Sequence, residues 1–256
     1  MGNQIDLNCD MGESFGRYQL GVDTEMIAYI TSANIACGMH AGDPRVMEVT
    51  VTLAVKAGLN VGAHPGYPDV QGFGRRAMEF MPAELEALVL YQVAALAGFA
   101  RDAGAELTHV KPHGALYNQS AKDRALAGAI ARGVARFSRE LVLVGLAGSQ
   151  LIAAGHEARL RTASEGFADR AYNPDGSLRA RSLPGAVLED AGEAASQAVR
   201  LAQQGIAITT GSHTHYAPVD TLCIHGDTPG ALDFARAVRA ALLNSEIKIE
   251  KFGSSR

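Results

Sequence analysis

Ionisable side chains recur in this 256-residue chain just past short β-prone runs, where a fold can gather them. Asp10-Met11-Gly12-Glu13 sets two carboxylates three positions apart across a glycine that permits a tight turn. Such a pair can ligate a metal or share acid–base work; the plainer reading is a solvated turn with one carboxylate capping a helix. His40 and His64 each follow an apolar run and enter Gly/Pro-rich text, Gly38-Met39-His40-Ala41-Gly42-Asp43-Pro44 and Gly62-Ala63-His64-Pro65. Imidazole exchanges a proton near neutral pH and is a common metal ligand. Asp10, His40 and His64 are therefore candidate ligands for a divalent metal, or a proton-transfer set, or hydrogen-bonded core residues. No H-x-x-x-H spacing favours the metal.

Lys111-Pro112-His113-Gly114-Ala115-Leu116-Tyr117-Asn118 is the most informative stretch. A lysine at the end of an apolar strand needs a partner, because it is almost never buried without one. Asp10, Glu165 or an anionic substrate would serve. Tyr117 and Asn118 can bind a ligand, or simply pack and cap. Glu165-Gly166-Phe167-Ala168-Asp169-Arg170 opens a long polar segment that ends near Pro184-Gly185, the length of a lid or binding loop. Arg75 and Arg76, in Gly72-Phe73-Gly74-Arg75-Arg76, can clamp a phosphate or carboxylate. His225-Gly226-Asp227-Thr228-Pro229 repeats the device at 40–44, and Asp43 and Asp227 read as N-caps whose helices offer free N–H groups to an anion. Neither a P-loop nor a Rossmann glycine fingerprint is present.

The elements that must hold these groups alternate. Strand-like runs fall near 4–9, 32–38, 59–64, 107–112, 141–146, 159–165, 206–210 and 220–225. Helices are expected after Asp43-Pro44 up to Gly58, from Pro82 to Gly104, and from Pro229 onwards. Such alternation without a linker predicts one α/β domain over 1–256, a seven- or eight-stranded TIM-like (β/α) barrel. The strands carry a second pattern. Ile5, Leu7 and Cys9 share one face while Asp6, Asn8 and Asp10 share the other; Asn34, His109 and Lys111 stand likewise on polar faces. An apolar face under helices leaves the polar face to line the barrel. The active site is expected at the C-terminal mouth, among Asp10, His40, His64, Lys111, His113, Glu165 and His225.

Composition narrows the classes. The chain is 47% hydrophobic with a net charge of −4, which argues against disorder and against a duplex-binding surface. Trp is absent and aromatics are 6%, too few for base-stacking platforms. Cys9, Cys37 and Cys223 have no Cys-x-x-Cys spacing and do not suggest a disulfide scaffold. No basic n-region with an apolar h-region opens the chain, and no run is expected to reach the length of a membrane span. The expectation is a cytoplasmic globular protein binding neither nucleic acid nor membrane.

Taken together, Leu7–Glu13, Ala33–Gly38, His40–Pro44, Gly62–Pro65, Gly72–Arg76, Val110–Asn118, Glu165–Arg170 and His225–Pro229 resemble the LamB/YcsF family, in its order, from residue 5 to about 243. Met39 and Gly66 depart from the family text, which has Phe and Ser there, and so does the segment from Gly211 to Pro218. The resemblance implies a barrel related to the glycoside hydrolase/deacetylase superfamily. It implies the A component of an ATP-dependent 5-oxoprolinase, opening 5-oxo-L-proline to L-glutamate with ATP, as its Mg²⁺ complex, going to ADP and phosphate. The implied partners are 5-oxoprolinase subunits B and C. On this reading Asp10, His64, Lys111, Glu165 and His113 are catalytic. Glu13, Asn34, His40, Asp43, Arg75, Arg76, Tyr117, Asn118, Asp169, Arg170, His225 and Asp227 hold substrate or nucleotide. The rival is a stand-alone metal-dependent deacetylase or hydrolase.

Overall fold

The computed structural model describes residues 4–210, 214–226 and 230–253. In chain order the elements are β1 (Gln4–Met11), α1 (Asp23–Met26), β2 (Ser32–Ala36), α2 (Pro44–Lys56), β3 (Asn60–His64), α3 (Pro82–Asp102), β4 (His109–Val110), α4 (Gly114–Ser120), α5 (Arg124–Phe137) and β5 (Val142–Leu146). They continue with α6 (Gln150–Glu157), β6 (Arg161–Phe167), α7 (Ala191–Gln204), β7 (Ile206–Ile208), β8 (Thr214–Tyr216), β9 (Thr221–Cys223), α8 (Ala231–Asn244) and β10 (Lys248–Ile249). Strands β1 to β6 pair in sequence, all parallel, and β9 pairs with both β6 and β1. The sheet closes on itself as a seven-stranded parallel barrel with helices outside.

Local chemistry sets the helix ends. The Asp43 carboxylate accepts from the N–H groups of Arg45 and Val46, and Pro44 fills the first position of α2. The 21-residue α3 is long and apolar enough to cross a bilayer, which corrects the expectation that no run reaches that length. It packs against α5 and β3, burying Leu85, Val89, Val93 and Leu96 as a core helix does. The helix expected from Pro229 begins at Ala231 in the described chain; Pro229 and Asp227 lie outside the described residues.

One expected strand leaves the wall. Residues 206–208 form β7, which pairs antiparallel with β8 in a separate hairpin. Glu165, Gly166 and Phe167 of β6 register directly with Thr221, Leu222 and Cys223 of β9, so no gap remains for an eighth barrel strand. Strand β10 instead extends the sheet at the start of β1, pairing with Gln4 and Ile5 before β9 takes over at Asp6.

The alternation read in the sequence becomes an apolar exterior face and a polar lumen. Ile5, Leu7 and Cys9 join the core under the helices, while Asp6, Asn8, Ser32, Asn34, His109 and Thr221 are fully buried. A lumen of polar groups is tolerable only when each finds a partner. Asp6 accepts hydroxyl protons from Thr31, Ser32 and Thr221. Asn34 donates to Asn8 (2.7 Å) and Asp10 (2.8 Å) and accepts from His109 Nε2 (2.8 Å). The His109 ring reaches this position because Gly62 of β3 has no side chain; a Cβ there would stand 2.1 Å from His109 Nε2.

Burial raises the Asp6 carboxyl to about 6 against its three hydroxyl donors. A raised carboxyl contributes stability that is full below the unfolded value near 4 and is lost as pH rises through 6. Asp6→Asn removes that term. Relative to the unchanged chain, the variant should therefore gain about 3 kcal/mol of unfolding free energy between pH 3.5 and 7. Urea titrations of both proteins across that range measure the difference, and a flat difference would show that Asp6 titrates normally.

Candidate active site

The mouth at the C-terminal ends of the strands opens into a cavity of about 750 Å³. Its floor is a charge cluster centred on Lys111, which follows β4 and enters the lumen only 2% exposed. The ammonium lies 2.9 Å from Asp10 Oδ1 and 2.8 Å from Glu165 Oε1, and also donates to Asn8 Oδ1 at 3.1 Å. Both partners weighed from the sequence are thus engaged at once. Burial works against the Lys111 charge, but Asp10, Cys223 and Glu165 hold its pKa well above the ordinary lysine value. Burial likewise penalises the Asp10 carboxylate; His64 and Lys111 outweigh this and hold it well below the usual range. The Tyr117 hydroxyl is pushed well up, by burial first and then by the Glu165 charge.

Histidines stand beside this floor. His64 closes β3 and places Nε2 3.2 Å from Asp10 Oδ2, while its Nδ1 donates to the Lys111 carbonyl at 2.7 Å. His113 donates from Nε2 to the Phe73 carbonyl (2.8 Å) and turns Nδ1 to His64 Nε2 at 3.0 Å. His40, from the loop after β2, stacks on His113 with ring centroids 3.8 Å apart. Glu13 Oε1 lies 3.3 Å from His113 Nδ1 and 3.7 Å from His40 Nε2. Across the floor, Asp169 grips His225 Nδ1 at 2.8–2.9 Å with both carboxylate oxygens, which fixes that ring against Phe167.

The remaining wall comes from the long segment after β6. Arg170 is buried, donating to the carbonyls of Ala186 and Arg179, and Gln197 of α7 ties down the carbonyls of Phe167, Ala168 and Arg170. Arg75, Arg170 and Arg181 border the cavity. Burial, followed by the Arg181 charge, lowers the Arg170 guanidinium to about 10. A carboxylate-rich floor thus faces an arginine wall, an arrangement suited to a small anion with a reactive centre at its other end.

The structure brings together Asp10, Glu13, His40, His64, Lys111, His113, Tyr117, Glu165, Asp169, Arg170 and His225, with Asn34 below them in the lumen. It does not bring in Asp43, whose carboxylate is consumed by its helix cap and by Gly16 N–H (2.6 Å). Nor does it bring in Arg76, whose Nε donates to Asp69 at 2.9 Å. Asn118 sits on the rim with its amide turned back to the Gly114 carbonyl. Sequence reasoning missed Arg181, Gln197 and the structural part of His109. Only Arg181 had a visible signal, as one of several arginines in a loop too long for a plain connection.

Lys111 neutralises the buried Glu165 and the half-buried Asp10, so its removal should be felt in stability. Lys111→Met is expected to cost about 3–5 kcal/mol, the penalty of stranding a buried charge. Adding Glu165→Gln should recover part of the loss. Denaturant unfolding of the single and double variants tests the coupling, and simple additivity would deny it.

The LamB/YcsF family model matches residues 5–256. The 5-oxoprolinase A chain from Tolumonas auensis is 56% identical over 96% of this chain and 98% of its own length. Its counterpart from Methylococcus capsulatus is 53% identical over 99% and 97%. The crystal structure of a lactam utilization protein from Thermus thermophilus superposes with a TM-score of 0.92 at 44% identity, covering 97% of this chain and all of that one. Whole-length identity at this level, on the same barrel, makes the chain a member of the LamB/YcsF family.

Proposed function

We propose that this chain is the lactam-opening component of an ATP-dependent 5-oxoprolinase, converting 5-oxo-L-proline to L-glutamate together with B and C subunits. The names of its full-length relatives support the reading. The observation that carries it is the pairing of a hydrolytic floor with an arginine wall in a single small cavity. The substrate carboxylate would meet Arg170 and Arg181, which leaves the ring amide over Asp10 and His64.

The chemistry asks for proton traffic at one carbon. Water must add to the lactam carbonyl, losing a proton, and the C–N bond must break with a proton delivered to nitrogen. Asp10, held 3.2 Å from His64, is placed to accept the first and to return it to the nitrogen. Lys111 keeps Asp10 ionised for the first transfer. With all its contacts already made, its better use is electrostatic, steadying the developing oxyanion. A five-membered lactam is too stable to open readily, and phosphorylating its oxygen at the expense of ATP makes the carbon electrophilic. Two waters balance the sum, one for the amide and one for the phosphoanhydride.

ATP is assigned to the assembled complex. Of the nucleotide-binding candidates Arg75, Arg76, Asp43 and Asp227, Arg76 and Asp43 are already committed, Asp227 lies outside the described residues, and Arg75 borders the cavity. The isolated chain with ATP and Mg²⁺ should release no phosphate in response to 5-oxoproline. Adding the B and C subunits should give glutamate and phosphate in equal amounts. Asp10→Asn in that complex should stay folded and lower turnover by at least about 10²-fold. Near-normal turnover would move the site elsewhere. Cleavage of an N-acetyl sugar by the chain alone, without ATP, would replace this reading with the stand-alone hydrolase.

A further inference from the structure

The imidazoles beside Asp10 present lone pairs to one another. A backbone carbonyl can only accept, so the bonds to the Lys111 and Phe73 carbonyls place the proton of neutral His64 on Nδ1 and that of neutral His113 on Nε2. The two remaining nitrogens then face each other at 3.0 Å with no proton between them. Glu13 Oε1 approaches the same point, 3.3 Å from His113 Nδ1 and 3.7 Å from His40 Nε2. His40 is 1% exposed, and neither of its ring nitrogens has a hydrogen-bond partner among the described residues. All four acceptor atoms lie within 4.8 Å of one another.

From this convergence we infer a binding site for one divalent transition-metal ion, of the zinc class, held by Glu13 Oε1, His40 Nε2, His64 Nε2 and His113 Nδ1. Ligands about 2.1 Å from a tetrahedral ion stand about 3.4 Å apart; three of the six separations, 3.0, 3.3 and 3.7 Å, bracket that spacing, and all six lie within 4.8 Å. A proton on His64 Nε2 would serve Asp10 Oδ2 and His113 Nδ1 but would still leave His40 without a hydrogen-bond partner among the described residues. Three imidazoles and one carboxylate favour zinc, cobalt or nickel over magnesium or calcium, which prefer all-oxygen shells. The carbonyls of Lys111 and Phe73 fix the His64 and His113 rings, as the outer partners of metal-bound histidines do. Compared with the set drawn from sequence, Asp10 gives way to Glu13 and His113, because Asp10 is engaged by Lys111. Glu13, His64 and His113 also line the cavity, so a bound ion would be open to it.

The test uses the full chain, stripped with a chelator and titrated with Co²⁺ without lactam, nucleotide or partner subunits. Visible ligand-field absorption saturating at one equivalent, and competed away by Zn²⁺, is the expected result. Glu13→Gln, which keeps volume, and His40→Ala should each weaken Co²⁺ binding by at least about tenfold. His156→Ala, at an exposed histidine on α6, should leave it unchanged. Far-ultraviolet circular dichroism reports whether each variant is folded. The inference is overturned by two results: no absorption together with no rise in thermal midpoint on adding Zn²⁺, or equal binding by the Glu13→Gln chain. Neither depends on lactam turnover, so the lactam-opening reading stands or falls separately.

Discussion

A single ammonium at the centre of the barrel sets the terms for everything around it. Lys111 reaches the lumen 2% exposed, and the two carboxylates, the amide oxygen and the Cys223 sulfur gathered about it make that burial tolerable. The carboxylates come from β1 and β6, on opposite sides of β4, which the lysine follows. Closure of the wall and neutralisation of the charge are therefore one event. Strand β9 completes the ring by pairing with both β6 and β1, the same two strands that supply Glu165 and Asp10.

The polar lumen follows from that charge. Asn8 donates to Glu165 and accepts from Lys111; Asn34 bridges Asn8, Asp10 and His109. An apolar lumen would pack as tightly, but it would leave Lys111, Asp10 and Glu165 with a poorer hydrogen-bond environment and a larger desolvation cost. His109 shows how far the backbone is adapted. Its ring crosses the lumen over Gly62, and burial, aided by the Lys111 charge, lowers its pKa to about 3, so it stays a neutral bridge. Below it, Asp6 ties β1 to β2 and β9 through the Ser32 and Thr221 hydroxyls.

Much of this is legible in the sequence alone, because period-two alternation within a strand is a local signal. Asp6, Asn8 and Asp10 opposite Ile5, Leu7 and Cys9 are enough to give a polar lumen and a polar mouth. What fails are judgements that need a partner distant in space. Arg76 reads as an anion clamp because its pairing with Asp69, formed as the loop turns back on itself, leaves no mark in the text. Residues 206–208 read as a barrel strand because composition cannot show that the β6–β9 register leaves no room. Glu13 and His113 lie 100 positions apart, and their approach to 3.3 Å depends on a loop that positions Phe73 to hold the imidazole.

Asp10 joins the lysine centre to the imidazoles through their side chains. One oxygen meets Lys111 and the other meets His64, whose Nε2 also faces His113. Any change of charge among the imidazoles, whether by proton or by cation, is therefore felt at the Asp10 carboxylate, and through it at Lys111. Arg170 and Arg181 stand apart from this linkage, on the cavity wall formed by the segment after β6 that Gln197 secures. On the proposed function, substrate recognition and proton transfer are held by different parts of the fold. Changes in the loop after β6 should alter affinity first, and changes at the Asp10–His64 contact should alter the chemical step.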